Sequence, residues 1–232
     1  MTTDPLPRNP PPKDPEARGL RLVAVLLGLT VVSGLIDAVS YLGLGHVFTA
    51  NMTGNVVVLG FAAAGAPGFS VPHTATSLVC FLLGAMVGGR VSLRYGTGSR
   101  RTWARVTLAA EALLVAVSAV VAFAAPDTEA MVYSVIALTA FAMGLRNATV
   151  IKLDVADLTT TVLTRTLTSL AADSRAGGGT GRRSPRRTAS VIAMLAGAVL
   201  GAGLVIHQGL GIPLLIAVVL SGVLAVVTSG RE

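Results

Sequence analysis

Long apolar stretches alternate with short polar and basic segments along most of the chain. Six of these stretches approach or exceed the roughly 20 residues that a helix needs to cross a bilayer. We predict crossing helices at residues 20–42, 73–94, 103–125, 130–152, 188–208 and 211–229. Residues 1–19 hold six prolines and few large apolar side chains, which favours a disordered tail over a cleaved signal peptide. The pattern predicts an all-α integral membrane bundle.

Two further apolar stretches, at about 50–65 and 158–171, are shorter and either rich in Thr, Asn and Gly or interrupted by Arg165. Basic residues flank the first three apolar stretches on both sides. They are Lys13, Arg18 and Arg21 before these stretches, and Arg90, Arg94, Arg100, Arg101 and Arg105 after them. Because basic flanks stay in the cytoplasm, the number of crossings between them is even. The short polar stretch at 50–65 is therefore predicted to enter the membrane without crossing it. Its own shortness and Arg165 predict that the stretch at 158–171 is likewise a half-helix or re-entrant segment.

The same rule orients the rest of the chain. The turn at 126–129 is predicted to lie outside, and an Arg- and Gly-rich linker at about 173–187 is predicted to lie inside. Both termini are then cytoplasmic. The linker serves as a topology signal, and binding of anionic lipid headgroups is an alternative role for it.

Composition supports a membrane protein, since 53% of residues are hydrophobic, 12% are charged and the mean hydropathy is +0.74. The formal charge of +7 is concentrated between apolar runs, so it does not predict nucleic-acid binding. The single cysteine, Cys80, is expected to be a small buried hydrophobe. His46, His73 and His207 are too far apart in sequence to predict a metal site, and their expected role is anchoring at the interface. We expect no metal and no cofactor.

A weak internal repeat relates the two halves of the chain. A shift of about 110 residues aligns GLIDAVSY at 34–41 with GLRNATVI at 144–151, and Asp37 then matches Asn147. Each half, 20–125 and 126–232, contains three crossings and one half-helix. Because three is odd, the second half enters the membrane in the opposite orientation. The sequence predicts an inverted-topology repeat, an architecture that recurs in transporters and is also open to channels.

Polar residues inside the first half indicate a binding site. Asp37, Asn51, Thr53 and Asn55 lie in or beside apolar stretches, where polar groups persist only against protein or a polar cavity. The amides and hydroxyls suit a ligand at a half-helix N-terminus, which favours an anion. They suit capping of that half-helix equally well. Asp37 is predicted either to bind substrate and couple protons or to make a structural contact.

In the second half the candidates are Arg146 and Asn147, with Glu111 at the end of the first. Arg146 either compensates the charge of Asp37 inside the bundle or extends toward headgroups near Lys152. Glu111 is a second candidate for proton coupling. Since the predicted span starts near Trp103, Glu111 is expected about two turns from the cytoplasmic edge, where solvation or pairing with an arginine is the alternative.

Two motifs resemble the YoaK-like family of bacterial inner-membrane proteins, the domain-of-unknown-function family 1275. They are the G-x-x-D-A stretch at 34–38 and the F-x-x-N-x-T-G-N stretch at 48–55. The resemblance covers about 20–230 and implies a multi-pass protein of the bacterial inner membrane with no established substrate. Arg146 stands where the family pattern has glutamine, and Arg165 follows Thr164 where it has glycine.

No motif for a nucleophile, a phosphate loop or a metal-dependent hydrolase is present, so the sequence does not predict an enzyme and no catalytic residue is assigned. We predict a small-solute transporter whose partners are membrane lipids and an unidentified solute or ion. The alternatives are a passive channel and a noncatalytic scaffold or lipid-binding protein. Glycine-rich helix faces allow contacts within one chain or in a homo-oligomer.

Overall fold

The computed structural model describes residues 20–95, 100–153, 163–180 and 184–227. These residues form eight α-helices and no strand. The helices are α1 (Leu20–Gly43), α2 (Met52–Ala63), α3 (Val71–Tyr95), α4 (Arg100–Ala124), α5 (Glu129–Leu153), α6 (Leu163–Ala172), α7 (Ser184–Gln208) and α8 (Gly211–Val227). The predicted all-helical bundle is confirmed. The predicted tail at 1–19 lies outside the described residues.

Five helices among the described residues, α1, α3, α4, α5 and α7, are long and apolar enough to cross a membrane. The sixth predicted crossing corresponds to α8, whose 17 described residues are at the lower limit for a span. The half-helix predicted at 50–65 is α2, which has 12 residues and a length of about 18 Å at 1.5 Å per residue. It is too short to cross a hydrocarbon core of about 30 Å.

The second predicted half-helix corresponds to α6, which begins at Leu163. Residues 158–162 of that prediction lie outside the described residues.

The bundle is built around α1 and α5. In each of them 67% of the spanning window is buried, against 22% for α3 and 17% for α7. Helix α1 packs mainly against α7, and α5 packs mainly against α3. Helix α4 packs against α5 and α8, and α8 also packs against α1. The exposed large apolar side chains of α3, α4, α7 and α8 form the surface that faces lipid.

A core of apolar side chains joins α1, α4, α5 and α8. Its fully buried members include Val32, Leu35 and Ile36 of α1, Val115 and Ala119 of α4, Val135 and Met143 of α5, and Leu214 and Ala217 of α8. These four helices also supply the buried polar groups described next.

Candidate functional site

A buried ion pair lies at the centre of the four-helix core. Arg146 on α5 donates from Nη1 to Oε1 of Glu111 on α4, at 3.1 Å. Both side chains are 0% exposed. Two opposite charges removed from water persist only when they are paired and further hydrogen-bonded. The pair is therefore the feature of this bundle that most requires explanation.

Two serines and one backbone carbonyl complete this network. Nη2 of Arg146 donates to Oγ of Ser33 at 2.6 Å, and Nη1 also donates to the carbonyl oxygen of Leu29 at 3.3 Å. Ser221 on α8 donates to Glu111 Oε1 at 3.2 Å. We call Ser33, Glu111, Arg146 and Ser221 the charged network. It ties together α1, α4, α5 and α8.

The charged network lies near the middle of the helices that carry it. Glu111 is at the middle of α4, and Ser33 and Ser221 are within about a turn of the middle of α1 and α8. Arg146 lies beyond the middle of α5, but side chains on a helix point back toward its N-terminus. The network is thus at membrane depth. The predicted position of Glu111, two turns from the cytoplasmic edge, is shallower than its position in α4, because this helix starts at Arg100.

The partner of Arg146 in the structure is Glu111, so the predicted ion pair with Asp37 is replaced by a different one. Extension of Arg146 toward headgroups is wrong, since its side chain is completely buried. Asn147, the next residue in α5, is 5% exposed.

Asp37 holds the loop that follows α1. Its Oδ1 accepts the backbone N–H of Ala50 at 2.9 Å. The loop therefore turns back into the bundle to the depth of Asp37 before α2 starts. Since α2 then leads to the start of α3, loop and helix form a re-entrant segment, residues 44–63.

The Asn-Met-Thr-Gly-Asn stretch begins α2 and fastens it to α3. Asn51 is the N-cap, and its Oδ1 accepts the N–H of Gly54 at 3.3 Å. Asn55 is 0% exposed; its Oδ1 accepts from Phe48 N at 2.8 Å, and its Nδ2 donates to Phe48 O at 2.6 Å and to Ser77 at 3.0 Å. Capping is therefore an observed role of Asn51, while Asn55 is a link between loop and α3.

The predicted site residues fall into two groups. Asp37, Asn51 and Asn55 organise the re-entrant segment, and Thr53 is exposed at the start of α2. Glu111 and Arg146 belong to the charged network, and Asn147 follows Arg146 in α5. Ligand binding by these residues stays a prediction. The two serines of the network were not predicted, although Ser221 follows Glu111 by 110 residues, the shift of the predicted repeat.

The histidines lie away from the charged network. His46 Nδ1 is 3.0 Å from the carbonyl oxygen of Gly68, and the ring of His73 contacts that of Tyr133. In the described part of the chain, no three His, Cys, Asp or Glu side chains are grouped closely enough to hold a metal ion.

Fold and site define a multi-pass helical membrane protein with a charged network inside its bundle. The chain belongs to the family described as "Protein of unknown function (DUF1275)", whose model matches residues 25–227. It is 37% identical over 148 residues to the UPF0700 transmembrane protein YoaK of Bacillus subtilis (strain 168). The aligned region covers 62% of this chain and 64% of that relative. The alignment thus spans less than two thirds of the relative. No solved structure matches.

Proposed function

We propose that the protein is a noncatalytic transporter of small solutes in the cell membrane, and that the charged network is its binding site. The observation that carries the proposal is the Glu111–Arg146 pair, 3.1 Å long and fully buried at membrane depth. Ionisable side chains inside spanning helices are costly, and they commonly mark the path of a substrate or ion. Here a positive side chain, Arg146, and a negative one, Glu111, lie in direct contact.

The packing of the helices supports an inverted repeat in which α1–α4 correspond to α5–α8. In this correspondence α1 is equivalent to α5, α3 to α7 and α4 to α8. The α1–α7 contact is then equivalent to the α5–α3 contact, and the α4–α5 contact is equivalent to the α8–α1 contact. The α4–α8 contact joins two equivalent helices, so it is its own counterpart. A pseudo-two-fold axis that relates the halves accounts for all of these pairs.

Glycines at the helix contacts follow the same relation. A Cβ at Gly34 would overlap the carbonyl oxygen of Met194, and one at Gly144, 110 positions later, would overlap that of Phe81. Gly197 and Gly84 likewise approach the carbonyl oxygens of Val31 and Phe141, which are also 110 positions apart. Close approach through glycine is a general way to pack membrane helices, but its recurrence at matched positions supports the repeat.

The charged network takes one serine and one charged residue from each half. Ser33 and Glu111 belong to the first half, and Arg146 and Ser221 belong to the second. Transporters with inverted repeats bind substrate where the repeats meet, and one repeat rocks against the other to expose the site alternately. Rocking of this kind would part Arg146 from Glu111 and Ser33 and open the site to water.

The orientation proposed for this transporter has both termini in the cytoplasm. It rests on the basic residues that follow α3 and those of the 173–187 linker. In the described part of this linker Arg187 is buried at the start of α7, where it pairs with Asp173 at 2.7 Å. Arg175 is exposed and free to face anionic headgroups.

Accessibility of Ser221 tests the proposal without knowledge of the substrate. In a Cys80→Ser background, Ser221→Cys is treated with a membrane-impermeant thiol reagent in right-side-out and in inside-out vesicles. We expect modification from both sides, because alternating access exposes the network to each side in turn. Ala119→Cys, in the apolar core, is the matched control and is expected to stay unmodified.

Two results would separate the alternatives. A channel would let the reagent added on one side pass through and modify Arg175→Cys on the other. No modification of Ser221→Cys from either side would contradict transport and favour a scaffold held together by the charged network.

A further inference from the structure

On the basis of the proposed transport function, we infer the substrate class: a monovalent anion that is carried together with one proton. In this inference Arg146 exchanges partners. It binds Glu111 when the site is empty, and it binds the substrate anion when Glu111 is protonated. Both states leave the site with no net charge, which a site at membrane depth requires.

Each member of the ion pair has one buried atom that the observed hydrogen bonds do not use. Glu111 Oε2 and Arg146 Nε have no hydrogen-bond partner among the described residues. Oε2 is an acceptor and Nε–H is a donor. The carboxylate can therefore take up a proton at Oε2, and the guanidinium can donate to an anion, without loss of the bonds to Ser33 and Ser221.

The charges around Glu111 are few. Arg146 on α5 faces it directly, and α8 has no charged residue among its described positions. On α1 the one acid, Asp37, accepts the backbone N–H of Ala50 in the re-entrant segment. On α4 itself Arg105 is exposed, and Arg90 and Arg94 of α3 are exposed toward the end of that helix. Arg146 is therefore the group whose charge must be balanced when Glu111 becomes neutral.

The proposed cycle is balanced in charge and in protons. A proton from water forms an O–H bond at Oε2, and Glu111 becomes a neutral carboxylic acid. Nη1 of Arg146 releases Oε1, and the guanidinium donates to the incoming anion from Nη1 and from the unused Nε–H. On the other side of the membrane the anion leaves, the proton returns to water, and the ion pair forms again. A divalent anion would leave one negative charge, and a cation would add a second positive one.

Proton movement in proteoliposomes tests the inference. Vesicles that contain the full-length protein and a trapped pH-sensitive dye receive an inward gradient of chloride, bromide or nitrate, balanced by sulfate, a divalent anion that the cycle excludes. We expect saturable acidification of the lumen that a potassium–valinomycin clamp does not change, because the cycle is electroneutral. Glu129→Gln, an exposed acid at the start of α5, is the matched control and is expected to behave as the native protein.

Glu111→Gln should abolish the acidification. The neutral amide leaves Arg146 ready for an anion at any pH, so anion-induced thermal stabilisation should persist in this variant and lose its pH dependence. In the native protein anion affinity should rise as pH falls, by up to about tenfold per pH unit, since one proton binds with each anion.

Absence of acidification with all three anions, or acidification that survives in Glu111→Gln, would overturn the inference. Failure of the proposed transport function has a different signature. If Ser221→Cys is modified from both sides while no anion moves protons, the transporter stands and the anion–proton pairing is wrong. If Ser221→Cys is never modified, transport itself fails.

Discussion

Asn55 uses both ends of its side-chain amide to hold the re-entrant segment. It bonds the backbone N–H and carbonyl of Phe48, and Ser77 bonds the same carbonyl at 2.6 Å. Asn55→Ala leaves the Phe48 amide without this partner, so we expect a loss of about 1–3 kcal/mol in the free energy of unfolding. Thermal unfolding in detergent measures it.

Thr53→Ala is the control for Asn55, because Thr53 lies two residues away on the same helix and is exposed. We expect its unfolding temperature to stay close to that of the native protein. Equal losses in both variants would contradict the role assigned to Asn55.

The buried Glu111–Arg146 pair should affect stability differently when one partner or both partners are removed. Removal of one partner leaves a buried charge, so Glu111→Leu and Arg146→Met should each destabilise the protein by about 3–5 kcal/mol. The double variant leaves no charge and should be closer to the native stability than either single variant. Denaturant titrations of the four proteins give the coupling energy, and additive losses would count against a buried pair.

At the scale of single residues, the sequence predicts which polar positions matter but not which residues they contact. Asp37, Asn55, Glu111 and Arg146 were all identified from polar chemistry inside apolar stretches. Their partners depend on which face of each helix turns inward and on which helices are neighbours, and these are properties of the packed bundle. Sequence separation gives no hint that Arg146 meets a residue 35 positions earlier.

At the scale of elements, glycine sets how closely the helices approach. Gly34 of α1 lies against α7, and Gly144 of α5 lies against α3, with the backbone of the facing helix in the way of any side chain. Gly34→Ala and Gly144→Ala should each cost about 1–3 kcal/mol, since the facing helix must move. We expect similar losses in unfolding free energy at the two positions.

Gly203 in α7 provides the contrast, because no atom lies within 4 Å of a Cβ built there. Gly203→Ala is expected to be neutral or stabilising by up to about 1 kcal/mol through helix propensity. A Gly203→Ala loss as large as that at Gly144 would mean that glycine acts through something other than close packing.

Helix boundaries were predictable because the physics behind them is local. Apolar length and flanking charge located all six long stretches, and the polar content of 50–65 distinguished α2 from a crossing helix. What the sequence did not give is the depth of the loop before α2. That depth follows from the contact between Asp37 and Ala50, 13 positions apart, which no local rule predicts.

For the whole molecule, the proposed orientation predicts which loops an impermeant reagent reaches in intact cells. In a Cys80→Ser background, cysteines at Pro67 and Pro126, both exposed in turns, should be labelled from outside. Arg175→Cys in the linker should be labelled only after the membrane is opened. Labelling of Pro67→Cys and Arg175→Cys from the same side would refute the orientation.

The contact between Glu111 and Ser221 bears on the origin of the chain. These residues are 110 positions apart, so on the proposed repeat they are equivalent, and equivalent residues touch only at the symmetry axis. In a dimer of two identical half-length chains, the same residue would meet itself there, acid against acid. The counterpart of Arg146 in the first half is Ile36, so one arginine faces one acid. On the proposed repeat, a neutral pair on the axis therefore requires two halves that differ in sequence, which a dimer of identical half-length chains cannot supply.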